Sequence, residues 1–212
     1  MKQHILPESK AILYRGAEAI LYFDKKEGEK VLVKERVEKR YRLQELDSKI
    51  RLQRTKHEIS LLSKAKRAGV CVPKVMDFDN IRIILEWLNG KTIKEILNKS
   101  EGLELKDIYK KIGENIALLH SAGIMHGDLT TANMILQGNE IYFLDFGLGK
   151  FSDRIEDQAS DLFLFYEILK STHLKLLEEA WENVLNAYKQ KYVKAEEVLK
   201  RLEKIKKRRR YR

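Results

Sequence analysis

Two carboxylates and one amide stand in this chain at a spacing that suits phosphate chemistry. Asn133 follows Asp128 by five residues, and Asp145 follows Asn133 by twelve, across a predicted hairpin. Phosphoryl transfer needs a carboxylate that orients the attacking hydroxyl, and it needs hard oxygen ligands for Mg²⁺. Asp128 is the candidate catalytic base, and Asn133 with Asp145 are the candidate metal ligands. The set therefore predicts a phosphotransferase with a Mg²⁺ site.

The segments His126 to Asn133 and Asp145-Phe146-Gly147 resemble the catalytic and metal-binding loops of protein kinases. Upstream, Lys34 matches the strand lysine that pairs with the α and β phosphates of the nucleotide. Glu58, 24 residues later inside a predicted helix, matches its partner carboxylate. Taken alone, each would more often be an ordinary surface residue, but the order of the motifs favours the functional interpretation. Glu86 to Leu88 occupies the hinge position, where backbone groups would bind adenine.

The chain departs from the kinase pattern around the phosphates and after the metal-binding loop. The segment Gly16-Ala17-Glu18 has one glycine where a phosphate loop normally has three. Glu18 there is either a surface turn residue or a negative charge near the phosphates, which would indicate gating or a strict need for Mg²⁺. Gly127 replaces the arginine that reads a phosphorylated activation loop. Only 15 residues separate Asp145 from Asp161, the match to the kinase aspartate that anchors the catalytic loop.

The periodicity of apolar residues predicts the elements that position these groups. Residues 20–23, 31–33, 74–78 and 81–88 favour strands, and a helical stripe covers 46–68. A second long helix is predicted over 105–122, followed by a hairpin over 134–144 and further helices. We therefore expect an α+β protein with a minimal two-lobed kinase-like fold and a short activation segment. Its lobes are a β-rich one over 1–88 and a helical one over 89–199, before a basic tail over 200–212.

Composition and charge narrow the class of protein. The chain has 212 residues, one cysteine and no apolar run of the roughly 20 residues that a membrane span needs. These features predict a cytoplasmic protein without a disulfide framework or a membrane segment. Its net charge of +10 is concentrated in the tail, where nine Lys/Arg face one acid. Such a run is either a solvated helix face or a contact for nucleic acid. The residues predicted to contact nucleic acid are Lys206, Lys207, Arg208, Arg209, Arg210 and Arg212.

The motifs together resemble the small atypical kinase subunit of the KEOPS (EKC) complex, the PRPK family, over essentially the whole chain. This resemblance rests on Gly16-Ala17-Glu18-Ala19, Lys39-Arg40-Tyr41-Arg42, the catalytic and metal-binding loops, and the arginine-rich end. It implies binding of ATP and Mg²⁺, and weak Ser/Thr kinase or ATPase activity. It also implies two partners, the threonylcarbamoyl-transferase ATPase subunit that modifies tRNA and a small regulatory KEOPS subunit. In some archaea the kinase and the ATPase are fused in one polypeptide.

Three other interpretations remain open on the residues alone. The first is a free-standing kinase of RIO-like or small-molecule type, since His-Gly-Asp also occurs there. The second is a non-catalytic nucleotide-binding scaffold. This interpretation is weakened because every polar catalytic position of the kinase pattern is filled. The third is an RNA-binding module that retains a kinase fold, which would leave the core motifs unexplained.

Overall fold

The structure, a computed structural model, describes residues 12–99 and 105–210. This part of the chain forms two units, one from residues up to 60 with 73–88, the other from 61–72 with residues from 89 onward. The division after residue 88 lies where the sequence analysis ends the first lobe. Residues 61–72, in contrast, belong to the second unit, because they bond within it: the Phe143 N–H donates to the Cys71 carbonyl at 2.8 Å. Among the described helices, none is long and apolar enough to cross a membrane.

The first unit is a five-stranded antiparallel sheet in the order β1-β2-β3-β5-β4, joined to most of one long helix. Strands β2 and β3 meet at the two-residue turn Glu27-Gly28, where both residues have positive φ (53° and 85°). Such a turn matches the twist of the strands, so pairing continues to its edge. The elements are β1 (Ile12–Arg15), β2 (Ala19–Lys26), β3 (Glu29–Arg36), α1 (Gln44–Arg67), β4 (Val75–Phe78) and β5 (Arg82–Glu86).

The second unit is mostly helical, with one two-stranded and one three-stranded sheet of short strands. Thr92 and Glu95 form the predicted capping box at the start of α2. The predicted α+β class is therefore confirmed. Helix α6 continues without a break through residue 200, where the sequence analysis begins the basic tail. The elements are β6 (Lys91–Thr92), α2 (Ile93–Asn98), α3 (Lys106–Ser121), β7 (Ile124–Met125), β8 (Met134–Gln137), β9 (Glu140–Phe143), β10 (Lys150–Phe151), α4 (Ile155–Thr172), α5 (Leu177–Lys191) and α6 (Ala195–Arg210).

Helices α3 and α5 pack closely because α3 carries a glycine at their contact. A Cβ at Gly113 would lie 2.3 Å from the Val184 carbonyl oxygen and 2.9 Å from the Ala187 Cβ, both on α5. Since the nearest of these atoms is backbone, it has little freedom to move away. The glycine therefore sets the spacing of two helices that carry buried side chains toward the catalytic loop, as described below.

We expect Gly113→Ala to lower the free energy of unfolding by about 1–3 kcal/mol, the cost of overpacking a tight contact. In an ordinary helix the same change stabilises by about 1 kcal/mol, so the sign of the effect is diagnostic. Denaturant unfolding followed by circular dichroism measures it. Lys110→Ala, one turn earlier on an exposed face of α3, is the control, with an expected change of less than about 0.5 kcal/mol. A stabilised Gly113→Ala protein would contradict the close contact.

Candidate active site

The β8–β9 hairpin brings the two candidate metal ligands together. Met134 pairs with Phe143 in this hairpin. One position outward, the Leu144 N–H donates to the Asn133 carbonyl at 2.9 Å. Asp145 is the next residue along the chain. It has a positive φ of 55°, and its carboxylate accepts a 3.0 Å hydrogen bond from the Gly147 N–H. A strained backbone at this position is typical of a functional loop.

Asn133 is bonded directly to the candidate base. Its Nδ2 donates to the carboxylate of Asp128 at 2.9 Å and to the Asp128 carbonyl at 3.0 Å. The turn before it, Thr131–Asn133, is capped by Thr130, whose hydroxyl accepts the Asn133 N–H. Because the amide nitrogen is used in these bonds, the amide oxygen remains as the group for a cation. The loop thus holds the candidate base and one candidate metal ligand in a fixed relation.

A buried carboxylate on α4 anchors the start of this loop. Asp161 accepts the backbone N–H groups of His126 at 2.8 Å and Gly127 at 2.9 Å. Its Oδ2 also lies 3.4 Å from Nε2 of His120, whose Nδ1 is 2.8 Å from the Tyr188 hydroxyl on α5. Burial alone would raise the pKa of Asp161, but the hydrogen bond and charge of His120, together with smaller contributions that include the Gly127 N–H, lower that pKa. Asp161 is therefore an ionised acceptor for two otherwise unpaired amides.

His126 is held as a neutral imidazole. Its Nε2 lies 2.9 Å from the Leu144 carbonyl, which can only accept, so Nε2 carries the proton. Its Nδ1 accepts the Asp128 N–H at 3.3 Å. Complete burial lowers the pKa of His126, against the opposing charges of Asp161, Asp145 and Asp128. The ring packs 4.5 Å from the buried Phe146 ring, which links the two loops.

Gly127 cannot be replaced by a residue with a side chain at this backbone conformation. Its φ is +80°, and a Cβ would lie 2.3 Å from the Leu148 carbonyl oxygen. The backbone at position 127 therefore excludes an arginine, because the chain after Asp145 occupies the space that its side chain would need.

In the first unit, Glu58 of α1 binds two cations of β3. One carboxylate oxygen lies 2.6 Å from Nζ of Lys34, and the other lies 2.5 Å from Nη2 of Arg36. All three side chains are buried. The structure therefore joins the predicted pair Lys34 and Glu58, and it adds Arg36, to which the sequence assigned no role. A signal was present, since residues two apart on a strand share a face.

The single-glycine segment is held by side chains. Glu18 forms ion pairs with Arg54 and with Lys39, whose Nζ is 3.5 Å away and also donates to the Ala17 carbonyl at 2.6 Å. Burial would raise the pKa of Glu18, but the charges of Arg54 and Lys39 outweigh it and lower that pKa. The Gly16 N–H closes the turn by donating to the Ala19 carbonyl at 2.9 Å. The negative charge of Glu18 is thus already paired within the first unit.

The two candidate hinge residues lie at the end of β5 and two residues after it. The Glu86 carboxylate accepts the Lys74 N–H at 2.9 Å, and the Glu86 N–H donates to the Lys74 carbonyl at 2.9 Å. Leu88 follows the strand and is half-buried. The side chain of Glu86 is therefore engaged with the residue before β4, so the backbone is the candidate for a polar contact with adenine.

The basic tail is the end of helix α6, and its cations differ in environment. Lys206 is half-buried, with Nζ 4.0 Å from the centre of the Tyr166 ring and 4.9 Å from that of Trp181. Lys207 and Arg208 are exposed. The side chains of Arg209 and Arg210, and the whole of Arg212, lie outside the described part of the chain. Lys206 thus packs the helix against α4 and α5, whereas the side chains of Lys207 and Arg208 face solvent.

The candidate metal ligands, Asn133 and Asp145, offer oxygen atoms, which suit Mg²⁺. Among the described residues there is no group of three or more His, Cys, Asp or Glu side chains that could hold a metal ion. Mg²⁺ is usually bound by one or two protein oxygens together with phosphate oxygens and water. Asn133 and Asp145 match that requirement. The sheet with its Lys34–Glu58 pair and the helical unit with its anchored loop define a protein of the kinase-like class.

Comparisons with known proteins identify the family. A family model described as RIO domain matches residues 14–153. The chain is 44% identical over 182 residues to the KEOPS complex subunit Bud32 of Pyrococcus abyssi, across 85% of this chain and 82% of that protein. It is 39% identical over 202 residues to the probable serine/threonine-protein kinase BUD32 homolog of Archaeoglobus fulgidus, across 94% and 95%. The chain therefore belongs to the RIO-domain family and, within it, to the Bud32 proteins, which confirms the resemblance inferred from the motifs.

A third relative is longer than this chain. The probable bifunctional tRNA threonylcarbamoyladenosine biosynthesis protein of Methanosarcina acetivorans is 40% identical over 202 residues. The match covers 94% of this chain but 35% of that protein.

The buried histidines predict how stability depends on pH. His173 lies at the end of α4, with Nε2 2.9 Å from the Thr131 hydroxyl. Burial, and then the charge of Lys94, lowers its pKa below the usual 6.5. Because the unfolded chain takes up this proton at higher pH than the folded protein, the free energy of unfolding falls as the pH drops below 6.5. We expect His173→Gln to lose less stability than the wild type between pH 7 and pH 5, measured by denaturant unfolding. Equal losses of stability in the variant and the wild type would contradict the lowered pKa of His173.

Proposed function

We propose that the protein is an ATP-dependent phosphotransferase of the atypical Ser/Thr kinase type, acting as a kinase, an ATPase or both. The observation that carries this proposal is the bonded pair of Asp128 and Asn133, with Asn133 joined through the β8–β9 hairpin to the residue before Asp145. The printed name of the Archaeoglobus relative, a probable serine/threonine-protein kinase, supports the same class. Phosphoryl transfer depends mainly on positioning and charge, which an anchored polar loop can supply.

ATP and Mg²⁺ are the cofactors that we propose. Asn133, through its amide oxygen, and Asp145, through its carboxylate, would hold Mg²⁺, and Lys34 would bind the phosphates while Glu58 keeps its ammonium in place. When bound, the metal neutralises charge on the phosphates. Backbone groups at Glu86 and Leu88 would bind the adenine. The segment from Gly16 to Glu18, held by Lys39 and Arg54, would lie along the phosphates as a fixed loop rather than a glycine-rich flexible one.

Asp128 is the group that we propose to orient the attacking hydroxyl or water. The Asn133 amide occupies one of its carboxylate oxygens, so the other oxygen is the one that faces the nucleophile. An oriented carboxylate of this kind contributes a factor of about 10²–10⁴ to such reactions. The N–H of Asp128, bound to His126, limits rotation of the loop about this position.

We further propose that the protein acts as a subunit of a KEOPS complex that makes threonylcarbamoyladenosine in tRNA. The name of the Pyrococcus relative, KEOPS complex subunit Bud32, supports this proposal, as does the name of the longer Methanosarcina relative. The proposed partners are the threonylcarbamoyl-transferase ATPase subunit and a small regulatory subunit, in the cytoplasm. A short segment between Asp145 and Asp161 leaves little chain to bind a peptide substrate, which favours a protein partner at this place.

Asp128→Asn and Asp145→Asn test the proposed chemistry. We expect each to lower Mg-dependent ATP turnover by about 100-fold or more, because each removes a charge from the reacting groups. Asp107→Asn, an exposed acid in the first turn of α3, removes the same charge elsewhere and should leave turnover unchanged. The assay is phosphate release with and without the partner ATPase and tRNA. Wild-type turnover in Asp145→Asn would refute the assignment.

The same assay separates the alternatives. Turnover that needs Asp145 and rises with partner and tRNA supports a dedicated ATPase of the complex. Transfer to added proteins, indifferent to partner and tRNA, indicates a free-standing kinase. Binding of ATP without any turnover indicates a nucleotide-binding scaffold.

We propose that the basic end of α6 contacts tRNA within the complex. Lys207 and Arg208 are the described cations of the predicted set that face solvent, and Lys204 and Lys200 extend the exposed face by one and two turns, respectively. Cations placed along one helix face suit a phosphate backbone, since each contact releases counterions.

We expect the double variant Lys207→Ala/Arg208→Ala to weaken tRNA binding and to reduce the slope of log K against log salt by about 1–2 units. The control is Lys189→Ala/Lys191→Ala, which removes two exposed charges from the end of α5 and should change neither quantity. Lys206→Met should keep the slope, because the side chain is engaged with two rings. Filter binding over a salt series measures all three. An unchanged slope in the double variant would refute the role of the tail.

A further inference from the structure

A tight turn over residues 39–42, between β3 and α1 of the first unit, is held by one carboxylate. The Arg42 N–H donates to the Lys39 carbonyl at 3.0 Å, which closes the turn. Oδ1 of Asp47, in the first turn of α1, accepts the Lys39 N–H at 3.3 Å and lies 3.4 Å from Nη1 of Arg42. Both ends of the 39–42 turn are therefore bound to the same oxygen atom.

The carboxylate that holds this turn is removed from water. Asp47 is 1% exposed, and its second oxygen, Oδ2, accepts a 2.7 Å hydrogen bond from Nε of Arg51, one helical turn further along α1. A buried carboxylate destabilises a fold unless its oxygens are bonded. Both oxygens of Asp47 are bonded, one of them to the 39–42 turn. The chain therefore uses a buried charge to fix the conformation of a turn at its surface.

The central residues of the turn, Arg40 and Tyr41, face solvent. Tyr41 is 78% exposed, and the guanidinium carbon of Arg42 lies over its ring, 5.2 Å from the ring centre. Such a distance is typical of a cation–π contact. Lys39 pairs with Glu18 at 3.5 Å, whereas Arg40 forms no ion pair within the described part of the chain. The turn thus presents an aromatic ring supported by one arginine, with an unpaired arginine beside it.

The charge and the exposed ring together indicate the chemistry of a partner. Residues 38–51 contain five Lys/Arg and three acids, one of which is the buried Asp47. An acidic protein segment would use the cations but not the open face of Tyr41. An unpaired nucleic-acid base stacks on tyrosine rings and on guanidinium planes, and its phosphate suits an arginine. The combination therefore fits a single-stranded segment of RNA better than an acidic peptide.

We propose that the 39–42 turn binds an unpaired base of RNA, which stacks on Tyr41 while Arg40 binds an adjacent phosphate. This contact rests on the proposed role in tRNA modification, and it differs in kind from the cations of α6, which suit the phosphates of any strand. Because Asp47 holds the turn before RNA arrives, binding costs little ordering of the chain.

The test of base stacking compares two RNAs by fluorescence anisotropy on the full chain: a stem–loop, and a fully paired duplex with the same number of phosphates. We expect Tyr41→Ala to raise the Kd for the stem–loop about tenfold, as the loss of one stacked base does, and to leave the Kd for the duplex unchanged. Tyr41→Phe keeps the ring and should bind both RNAs as the wild type does. Tyr14→Ala is the matched control, since it removes another exposed tyrosine of the first unit and should change neither Kd.

A second variant tests the phosphate contact. We expect Arg40→Ala to weaken binding of the stem–loop and to reduce the slope of log K against log salt by about 1 unit, because one phosphate contact is lost. Tyr41→Ala removes no charge and should keep the wild-type slope. Circular dichroism of each variant confirms that these changes at the exposed tip of the turn leave the fold intact.

The outcomes separate this proposal from the one on which it rests. A wild-type protein that binds neither RNA would overturn the proposed contact with tRNA, and the role of the turn with it. If the wild type binds the stem–loop and Tyr41→Ala binds it equally well, only the role of the turn fails. Equal weakening of stem–loop and duplex in Tyr41→Ala would overturn base stacking. Tight binding of a polyglutamate peptide that is lost in Arg40→Ala would identify a protein partner and overturn RNA as the ligand.

Discussion

The candidate active site depends on one buried carboxylate, Asp161, which binds two consecutive backbone amides. A loop that leaves a short strand and turns sharply has N–H groups that no neighbouring strand can satisfy, and leaving them buried would cost about 1–3 kcal/mol each. Asp161 accepts those of His126 and Gly127. The positive φ at Gly127 is compatible with this arrangement because glycine has no Cβ. The following residues of the loop, from Asp128 to Asn133, continue from these two anchored amides.

Support for that carboxylate comes from parts of the chain that are distant in sequence. His120 on α3 contacts Asp161 on one side and the Tyr188 hydroxyl on the other. Tyr192 reaches the same region through Gln158, whose amide in turn donates to the His120 carbonyl. The close approach of α3 and α5 at Gly113 is what allows these side chains to meet. Helix packing and loop geometry are therefore parts of one arrangement.

The sequence predicted well what depends on local pattern and poorly what depends on distant partners. The hairpin after Asn133 and the capping box at Thr92 follow from residue types a few positions apart, and both are present. The order of charged motifs was sufficient to pair Lys34 with Glu58. Glu18 was open between two interpretations, because its partners Arg54 and Lys39 lie 36 and 21 positions away and nothing local indicates them.

For Arg36 and Lys206, the spacing of residues along the strand or helix already indicated which way each side chain faces. Arg36 is two residues from Lys34 on one strand, and Lys206 is four residues from the buried Leu202 on one helix. In each case the period places a charged side chain on an inward face. Charge alone had suggested solvent or nucleic acid for Lys206. Where period and polarity disagree, the side chain proves to be paired: Arg36 binds the Glu58 carboxylate, and Lys206 contacts two aromatic rings and the Glu203 carboxylate.

The position of Lys206 over Tyr166 and Trp181 means that shortening the chain and removing its charge are different perturbations. A protein that ends before residue 206 would lose cations, but it would also uncover two rings that pack 5.1 Å apart on the surface of α4 and α5. Newly exposed aromatic surface favours self-association. A truncated chain can therefore differ from the intact one in solubility and oligomeric state before any nucleic acid is added. The end of α6 thus acts as a cover for the helical unit as well as a carrier of charge.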